Sequence, residues 1–124
     1  MNLEPNSLDL DMYALTTSQI WFNKGLAEKP LTFVGYMNQV PHYEKGGSYY
    51  IFGGLPELKD YIENWHFSDE DIKRLEKTKM FSKDFLHYLG NMKLSTKIFT
   101  PLEGTMLFKR EPFIKVIGPS IQCL

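Results

Sequence analysis

Four stretches of the chain repeat apolar residues at helical spacing, with polar positions between them. The first is predicted from Asp9 or Asp11 to about Lys24, and Gly25 supplies its stop. The second opens after Gly53-Gly54 and carries one apolar stripe spaced i, i+3, i+4, i+7. That stripe consists of Leu58, Tyr61, Ile62 and Trp65.

The starts of the remaining helices are marked by capping residues. Pro56 suits the first turn of the second helix, where its missing N–H has no partner to lose. Ser68 is predicted to cap the third helix, ahead of three acidic residues at the positive end of the helix dipole. Ser82 is predicted to cap the fourth, which Gly90 should end.

Strand-like runs surround these helices. Leu31 to Met37 is predicted as a strand in which Gly35 either weakens the run or marks a bulge, and residues 40–48 are predicted as a loop. Tyr49 to Phe52 is short and apolar. Three more β-rich runs, separated by Pro and Gly turns, follow the last helix: 96–99, 105–108 and 113–117. The predicted class is α+β, with helices packed on a small mixed or antiparallel sheet and short barrel-like strands at the C-terminal end.

The amino-acid composition limits the classes of molecule that this chain is expected to bind. The chain has 124 residues, 43% hydrophobic and 23% charged, with a formal net charge of −1. These values are typical of one globular domain and argue against nucleic acid or an anionic membrane as the partner. A single cysteine, Cys123, fits a reducing compartment, and no signal peptide or membrane-spanning run is evident, so a cytoplasmic location is expected. Residues 1–8 are predicted as a loose leader before a domain over 9–124.

No catalytic constellation stands out. The three histidines have no metal-ligand spacing with Cys123, and no nucleophile elbow or ordered triad is present. Gly46-Gly47 and Gly53-Gly54 do not match a phosphate loop, although the second pair opens a helix where an anion could bind. Tight turning is the preferred interpretation of both pairs, and no metal site is predicted.

Three separated segments together resemble a known family. Asp11-Met12-Tyr13-Ala14-Leu15-Thr16 lies near the start, Tyr50-Ile51-Phe52-Gly53-Gly54-Leu55 in the middle, and Pro101-Leu102-Glu103-Gly104-Thr105, Glu111-Pro112 and Gly118-Pro119 near the end. In this order they resemble the N-terminal region of nicotinate phosphoribosyltransferases, from about Asp9 to Ile121. The elements around Glu103 and Glu111 are expected to be architectural turns.

The resemblance implies a role for Tyr13. In the family an aromatic residue at this place stacks on the pyridine ring of nicotinate in the active site of the neighbouring subunit. Asp11 and Thr16 are expected to support it, Asp11 by capping the helix or by holding the loop that carries Tyr13. The competing interpretation is that Tyr13 packs in the core of its own protomer.

For the strand from Phe33 to Pro41, the resemblance implies a second substrate contact. In relatives an arginine near its end helps to bind the phosphates of phosphoribosyl pyrophosphate. The matching position here is Asn38, with Gln39 beside it, and neither carries a charge. Either another residue such as Lys45 supplies the charge, or phosphate binding is weakened.

The implied reaction joins nicotinate to phosphoribosyl pyrophosphate to give nicotinate mononucleotide and pyrophosphate, in salvage of NAD. The complete enzyme would use Mg²⁺ and ATP, neither bound by this chain. The family's catalytic α/β barrel is absent from the sequence, so the chain is expected to be inactive alone and to work as a homodimer or with a separate barrel polypeptide. The alternatives are a barrel-less dimerisation or regulatory module, or part of a related nicotinamide or quinolinate enzyme.

Overall fold

A computed structural model describes residues 7–43 and 46–124, and the elements below lie within them. They form an α+β fold of helices and short antiparallel strands, as the sequence predicts. The helices are α1 (Met12–Asn23), α2 (Leu55–Asn64), α3 (Asp69–Lys77) and α4 (Lys83–Asn91). The strands are β1 (Pro30–Tyr36), β2 (His42–Tyr43), β3 (Gly47–Ser48), β4 (Tyr50–Ile51), β5 (Lys97–Phe99), β6 (Met106–Leu107) and β7 (Pro112–Pro119).

The helix starts follow the predicted caps for α3 and α4. Ser68 and Asp71 form a complete capping box, in which each side chain bonds the other's backbone N–H. The Ser82 hydroxyl accepts a hydrogen bond from the backbone N–H of Phe85. α4 runs one residue past the predicted stop, to Asn91.

The predicted start and end of α1 are correct, but the capping hydrogen bond predicted for the Asp11 side chain is absent. Asp11 occupies the N-cap with an extended backbone, but its side chain makes no capping hydrogen bond. Gly25 follows the helix with a positive φ of 67°, the left-handed conformation expected of a glycine stop. Thus α1 is ended by its glycine but is not capped by its aspartate.

The hydrophobic core lies between α1, α3, α4 and the 3-10 turn Ser120–Gln122. Its centre is Phe85, whose side chain is fully buried between the rings of Phe22 and Phe81. The predicted leader is not loose throughout. Ser7 is buried and its hydroxyl donates to Asp71, and Leu8 packs on the core, so the packed domain begins no later than Ser7. Residues 1–6 of that prediction lie outside the described part of the chain.

The C-terminal strands form small antiparallel sheets, as predicted, but two of them pair with strands from the first half of the chain. β7 is the centre of a three-stranded antiparallel sheet in the order β1-β7-β5, so the last strand joins the first. β6 pairs with β4 in a separate two-stranded ladder. Strand partners depend on contacts between distant residues, which apolar periodicity does not encode.

Two local features of the strands remain. The register with β7 shifts between Gly35 and Tyr36, where Phe113 of β7 has no partner in β1, so the pairing is irregular next to Gly35, in line with the predicted bulge. The segment 40–48, predicted as a loop, contains the short antiparallel pair β2–β3.

Across residues 7–43 and 46–124, the longest apolar helical stretch falls short of what a bilayer crossing requires.

Candidate functional site

Tyr13 lies in the first turn of α1 with its ring in solvent. Its side chain is 72% exposed, and none of the ring contacts found among the described aromatic residues involves it. The interpretation that Tyr13 packs in its own core is therefore wrong. The side chain is therefore accessible to another molecule.

The backbone under Tyr13 is held firmly. The Thr16 hydroxyl donates to the carbonyl oxygen of Tyr13 at 3.1 Å, and Ala14 N–H donates to the carbonyl of Asp11 at 2.8 Å. On the opposite face of α1, Leu15 and Ser18 are buried. The structure thus brings Asp11, Tyr13 and Thr16 together at one helix end, with a fixed main chain and a free ring.

The exposed side of α1 is unusually apolar for a surface helix. No charged residue lies between Met12 and Asn23, and Met12 and Ile20 are exposed together with Tyr13. Ile20 follows Tyr13 by seven residues, two helical turns, so both lie on one side of the helix. An uncharged helix surface of this kind is suited to contact with protein.

Asn38 belongs to a different part of the molecule. It is exposed and follows the end of β1 that lies away from the α1–β1 connection. The carbonyl of Met37, the residue before it, accepts a hydrogen bond of 3.0 Å from Arg110 N–H. The other proposed source of charge, Lys45, lies outside the described residues.

The start of α2, where an anion could bind, is occupied by a carboxylate of the protein itself. Glu103 accepts hydrogen bonds from the backbone N–H groups of Gly54 at 2.9 Å and Leu55 at 3.1 Å. Gly54 has φ of 94°, so it also supplies the turn. The interpretation of this glycine pair as a turn is confirmed, and Glu103 has the expected architectural role.

The turn before β7 is built by a second glutamate. Glu111 accepts a hydrogen bond from Phe108 N–H through its side chain at 2.8 Å, and its own N–H donates to the Phe108 carbonyl at 3.1 Å. Pro112 then begins β7. The Glu111-Pro112 element is architectural, as predicted.

A cavity of about 300 Å³ lies under α2. The predicted apolar stripe of α2 forms one wall, and the sheet residues Ile98 and Val116 form another. Residues of α2 are only half-buried or exposed, so this helix packs less closely than α1, α3 and α4. The cavity also reaches Cys123, where burial raises the pKa of the thiol and disfavours a reactive thiolate.

The histidines take local structural roles. His42 hydrogen bonds Ser48 across β2–β3 at 2.9 Å, and His66 lies 3.0 Å from the carbonyl of Asn64. Within residues 7–43 and 46–124, no group of His, Cys, Asp and Glu is arranged to hold a metal ion.

The Tyr88 hydroxyl donates a hydrogen bond to Glu28. Burial together with this bond raises the pKa of Tyr88 above its usual range, so the hydroxyl stays protonated.

Comparison with known proteins decides the family. Residues 8–124 match the profile described as the nicotinate phosphoribosyltransferase (NAPRTase) N-terminal domain. The chain belongs to this family.

Named relatives agree with the family match. The chain is 28% identical over 116 residues to a nicotinate phosphoribosyltransferase of Bacillus subtilis, covering 94% of this chain and 23% of that protein. It is 28% identical over 115 residues to one from Dictyostelium discoideum, covering 91% of this chain and 19% of that protein. The crystal structure of human nicotinic acid phosphoribosyltransferase shares the fold, with a TM-score of 0.76, 19% identity and coverage of 92% of this chain and 23% of that one. The chain therefore spans about a quarter or less of the length of these relatives.

Sequence reasoning missed two features of the site region. Arg110 has a positive φ of 65°. The sequence did not indicate it, because Gly or Asn usually marks a left-handed turn and neither stands at this position. The hydroxyl of Tyr50 is buried, and within the described residues it has no hydrogen-bond partner. Burial and the nearby Glu111 raise the pKa of Tyr50, so it stays neutral.

Proposed function

We propose that this chain provides the N-terminal part of an enzyme that joins nicotinate to phosphoribosyl pyrophosphate, releasing nicotinate mononucleotide and pyrophosphate. The family match over residues 8–124 supports this proposal, and so do the relatives that bear this enzyme's name. The single observation that carries the role of this domain is the exposed ring of Tyr13 on a fixed backbone.

Tyr13 is proposed to stack on the pyridine ring of nicotinate bound to a neighbouring subunit. An electron-poor flat ring gains dispersion and quadrupole energy on an aromatic face, about 0.5–1.5 kcal/mol, which corresponds to roughly a tenfold effect on affinity at most. The uncharged outer face of α1 would lie against that subunit. Asp11 and Thr16 support the ring through the backbone bonds of the first turn.

The partner chain, Mg²⁺ and ATP are proposed to be requirements of the assembled enzyme. The proposed partners are a second copy of the protein or a separate polypeptide carrying the α/β barrel. Mg²⁺ would accompany the pyrophosphate and ATP hydrolysis would be coupled to the reaction, with neither bound by this chain. The 124 residues are proposed to be inactive alone and to work in the cytoplasm.

The test combines this chain with a polypeptide carrying the family's barrel and measures nicotinate mononucleotide formation. Tyr13→Ala should raise the KM for nicotinate several-fold and leave the melting temperature nearly unchanged, because the ring makes no core contact. Tyr13→Phe keeps the stacking face and should behave like the parent. Turnover no greater than that of the barrel polypeptide alone would refute the proposal.

A second candidate is a non-catalytic module that binds to or regulates a complete enzyme. It is favoured by the uncharged Asn38 at the place where relatives are implied to carry a phosphate-binding arginine. It predicts that added chain changes the activity of an intact enzyme without restoring that of an isolated barrel. Nicotinamide as the substrate is tested in the same assay by replacing nicotinate.

A further inference from the structure

The cavity under α2 has the size of a small-molecule site. Its volume is about 300 Å³, and ligand pockets in proteins measure about 300–1,000 Å³. An apolar cavity of about 150 Å³ in a protein core stays dry and takes up benzene. A cavity of twice that volume therefore has room for a molecule of two fused rings.

The lining of the cavity is apolar and uncharged. Three buried core residues, Leu15, Leu89 and Ile121, line it together with the apolar stripe of α2 and the sheet residues Ile98 and Val116. None of the described residues that line it has a charged side chain. A carboxylate or a phosphate would lose its water here without gaining a counter-ion. The cavity thus excludes the ionised substrates of the reaction proposed above and suits a neutral molecule.

One buried hydroxyl in the cavity has no partner. Ser18 lies on the inner face of α1, is 5% exposed and lines the cavity. None of the hydrogen bonds found in the described part of the chain involves its hydroxyl, whereas the neighbouring side chains of Thr16 and Gln19 are both engaged. Its oxygen is not enclosed by protein atoms, as that of Tyr50 is, so it faces the open space of the cavity. A polar group on a ligand would satisfy it.

The other polar groups near Ser18 are engaged or neutral. The side-chain oxygen of Gln122 accepts the Ser95 N–H at 2.8 Å, and its nitrogen donates to the carbonyl of Lys93 at 3.1 Å. Burial raises the pKa of Cys123, so its thiol is uncharged. Among the buried residues described as lining the cavity, Ser18 is the only one with a polar side chain. A ligand would therefore be oriented by a single hydrogen bond.

We propose that this cavity is a binding site for a small, neutral and largely apolar molecule whose one hydrogen-bonding group pairs with Ser18. The ligand enters beside α2, whose residues are half-buried or exposed. It fills the space under the apolar stripe of that helix and so improves its packing. Because the site forms only in the folded chain, binding raises thermal stability. The site goes beyond the enzyme function proposed above and does not depend on it.

The test is titration of the intact chain with indole, followed by calorimetry and NMR. Indole has two fused rings and one N–H, and it should bind as one molecule per chain with a dissociation constant below about 1 mM. Intermolecular NOEs should connect its ring protons with the methyl groups of Leu58, Ile62 and Ile98, which line the cavity. Indole carboxylate, which adds a charge to the same rings, should bind at least about tenfold more weakly.

Substitutions at position 18 separate the polar contact from the space. Ser18→Ala removes the hydroxyl and keeps the cavity, so the affinity for indole should fall about three- to tenfold. The affinity for indene, which has the shape of indole but no N–H, should stay unchanged. Ser18→Leu places an apolar side chain in the cavity and should weaken both ligands. Thr17→Ala is the matched control, because it removes a hydroxyl of the same helix that does not line the cavity. It should change neither affinity by more than about twofold.

Four results overturn the site: no saturable binding of indole by the parent, NOEs to other parts of the surface, binding of the carboxylate as tight as that of indole, or a Ser18→Ala effect that is absent or equal for indole and indene. Displacement of indole by a polypeptide carrying the barrel would also overturn it, since the cavity would then be covered by protein. Formation of nicotinate mononucleotide tests the proposed function separately from all of these measurements.

Discussion

The carboxylate of Glu103 lies 2.9 Å from the backbone nitrogen of Gly54, across 49 residues of sequence, and receives its hydrogen bond. Its second oxygen accepts the N–H of Leu55 at 3.1 Å. The loop is held in place by two backbone bonds of 2.8 Å, from Gly104 to Phe52 and from Phe52 to Thr105. A remote glutamate thereby takes the place of a local capping side chain at the start of α2.

Glu103→Ala should therefore lower the free energy of unfolding by about 1 kcal/mol, the usual cost of losing an N-terminal cap. Denaturant unfolding measures this difference. Glu63→Ala is the control, since Glu63 is exposed at the other end of α2 and forms only a surface pair with Lys59. It should change stability by less than about 0.5 kcal/mol. Equal losses in the two variants would contradict the cap.

Asp71 predicts a dependence of stability on pH. Burial disfavours its charge, but hydrogen bonds from Ser68 and Ser7 together with nearby Arg74 outweigh this effect and lower its pKa. A carboxyl whose pKa is lowered in the folded state stabilises the fold above its unfolded pKa, near 3.8, and loses that contribution as the pH falls through the folded value.

Asp71→Asn should thus destabilise the protein at about pH 7 by roughly 1 kcal/mol, and the difference from the parent should shrink towards about pH 3. Unfolding curves at both pH values check this. Asp69→Asn, an exposed change in the same first turn of α3, should show a smaller difference. A gap between parent and Asp71→Asn that grows on acidification would be the wrong sign.

Gly118 allows β5 to approach β7. A Cβ at this position would lie 2.6 Å from Cγ2 of Thr96 and 3.0 Å from its Cα, and the second atom belongs to the backbone. Gly118→Ala should push the strands apart and cost about 1–3 kcal/mol.

Thr96→Ser removes the closer of these two contacts and should restore part of the loss when combined with Gly118→Ala. The matched control is Gly53→Ala, where a Cβ would meet only Oε1 of Glu103 at 3.4 Å. Thermal unfolding of the parent, Gly118→Ala, Thr96→Ser and the double variant gives the interaction energy between positions 96 and 118. Independent, additive effects at positions 96 and 118 would argue against the clash.

The outer edge of β1 predicts self-association of the isolated chain. Residues 31–40 carry no charge, and the strand pairs only with β7 in the part of the chain that is described. An uncharged, unpaired edge is a template for pairing with another chain. Val34 is exposed and lies opposite Lys115, so Val34→Glu adds a charge that its neighbour compensates.

Light scattering should show a smaller average mass for Val34→Glu than for the parent, with the melting temperature preserved. Val34→Thr, a neutral change at the same position, should associate like the parent. A parent that is already a monodisperse monomer would contradict this prediction.

The parts of the fold that local chemistry determines were predictable. Ser68 and Ser82 cap their helices, Gly25 ends α1 and Gly35 marks a bulge, because each acts through neighbouring residues. The pairing of β7 with β1 was not predictable, since it depends on packing between residues more than 70 positions apart. The resemblance located Tyr13, whereas its exposure required the structure. The left-handed backbone of Arg110 was not predicted, because no glycine or asparagine marks that turn.

The pairing of β1 with β7 limits when the sheet can form during synthesis of the chain. Both outer strands of the sheet must wait for Pro112–Pro119 to leave the ribosome, while α3 and α4 can pack as soon as they emerge. We therefore expect the helices of the nascent domain to pack before the three-stranded sheet forms, because the sheet requires β7. A ribosome stalled before that strand would hold a helical intermediate with an unzipped sheet.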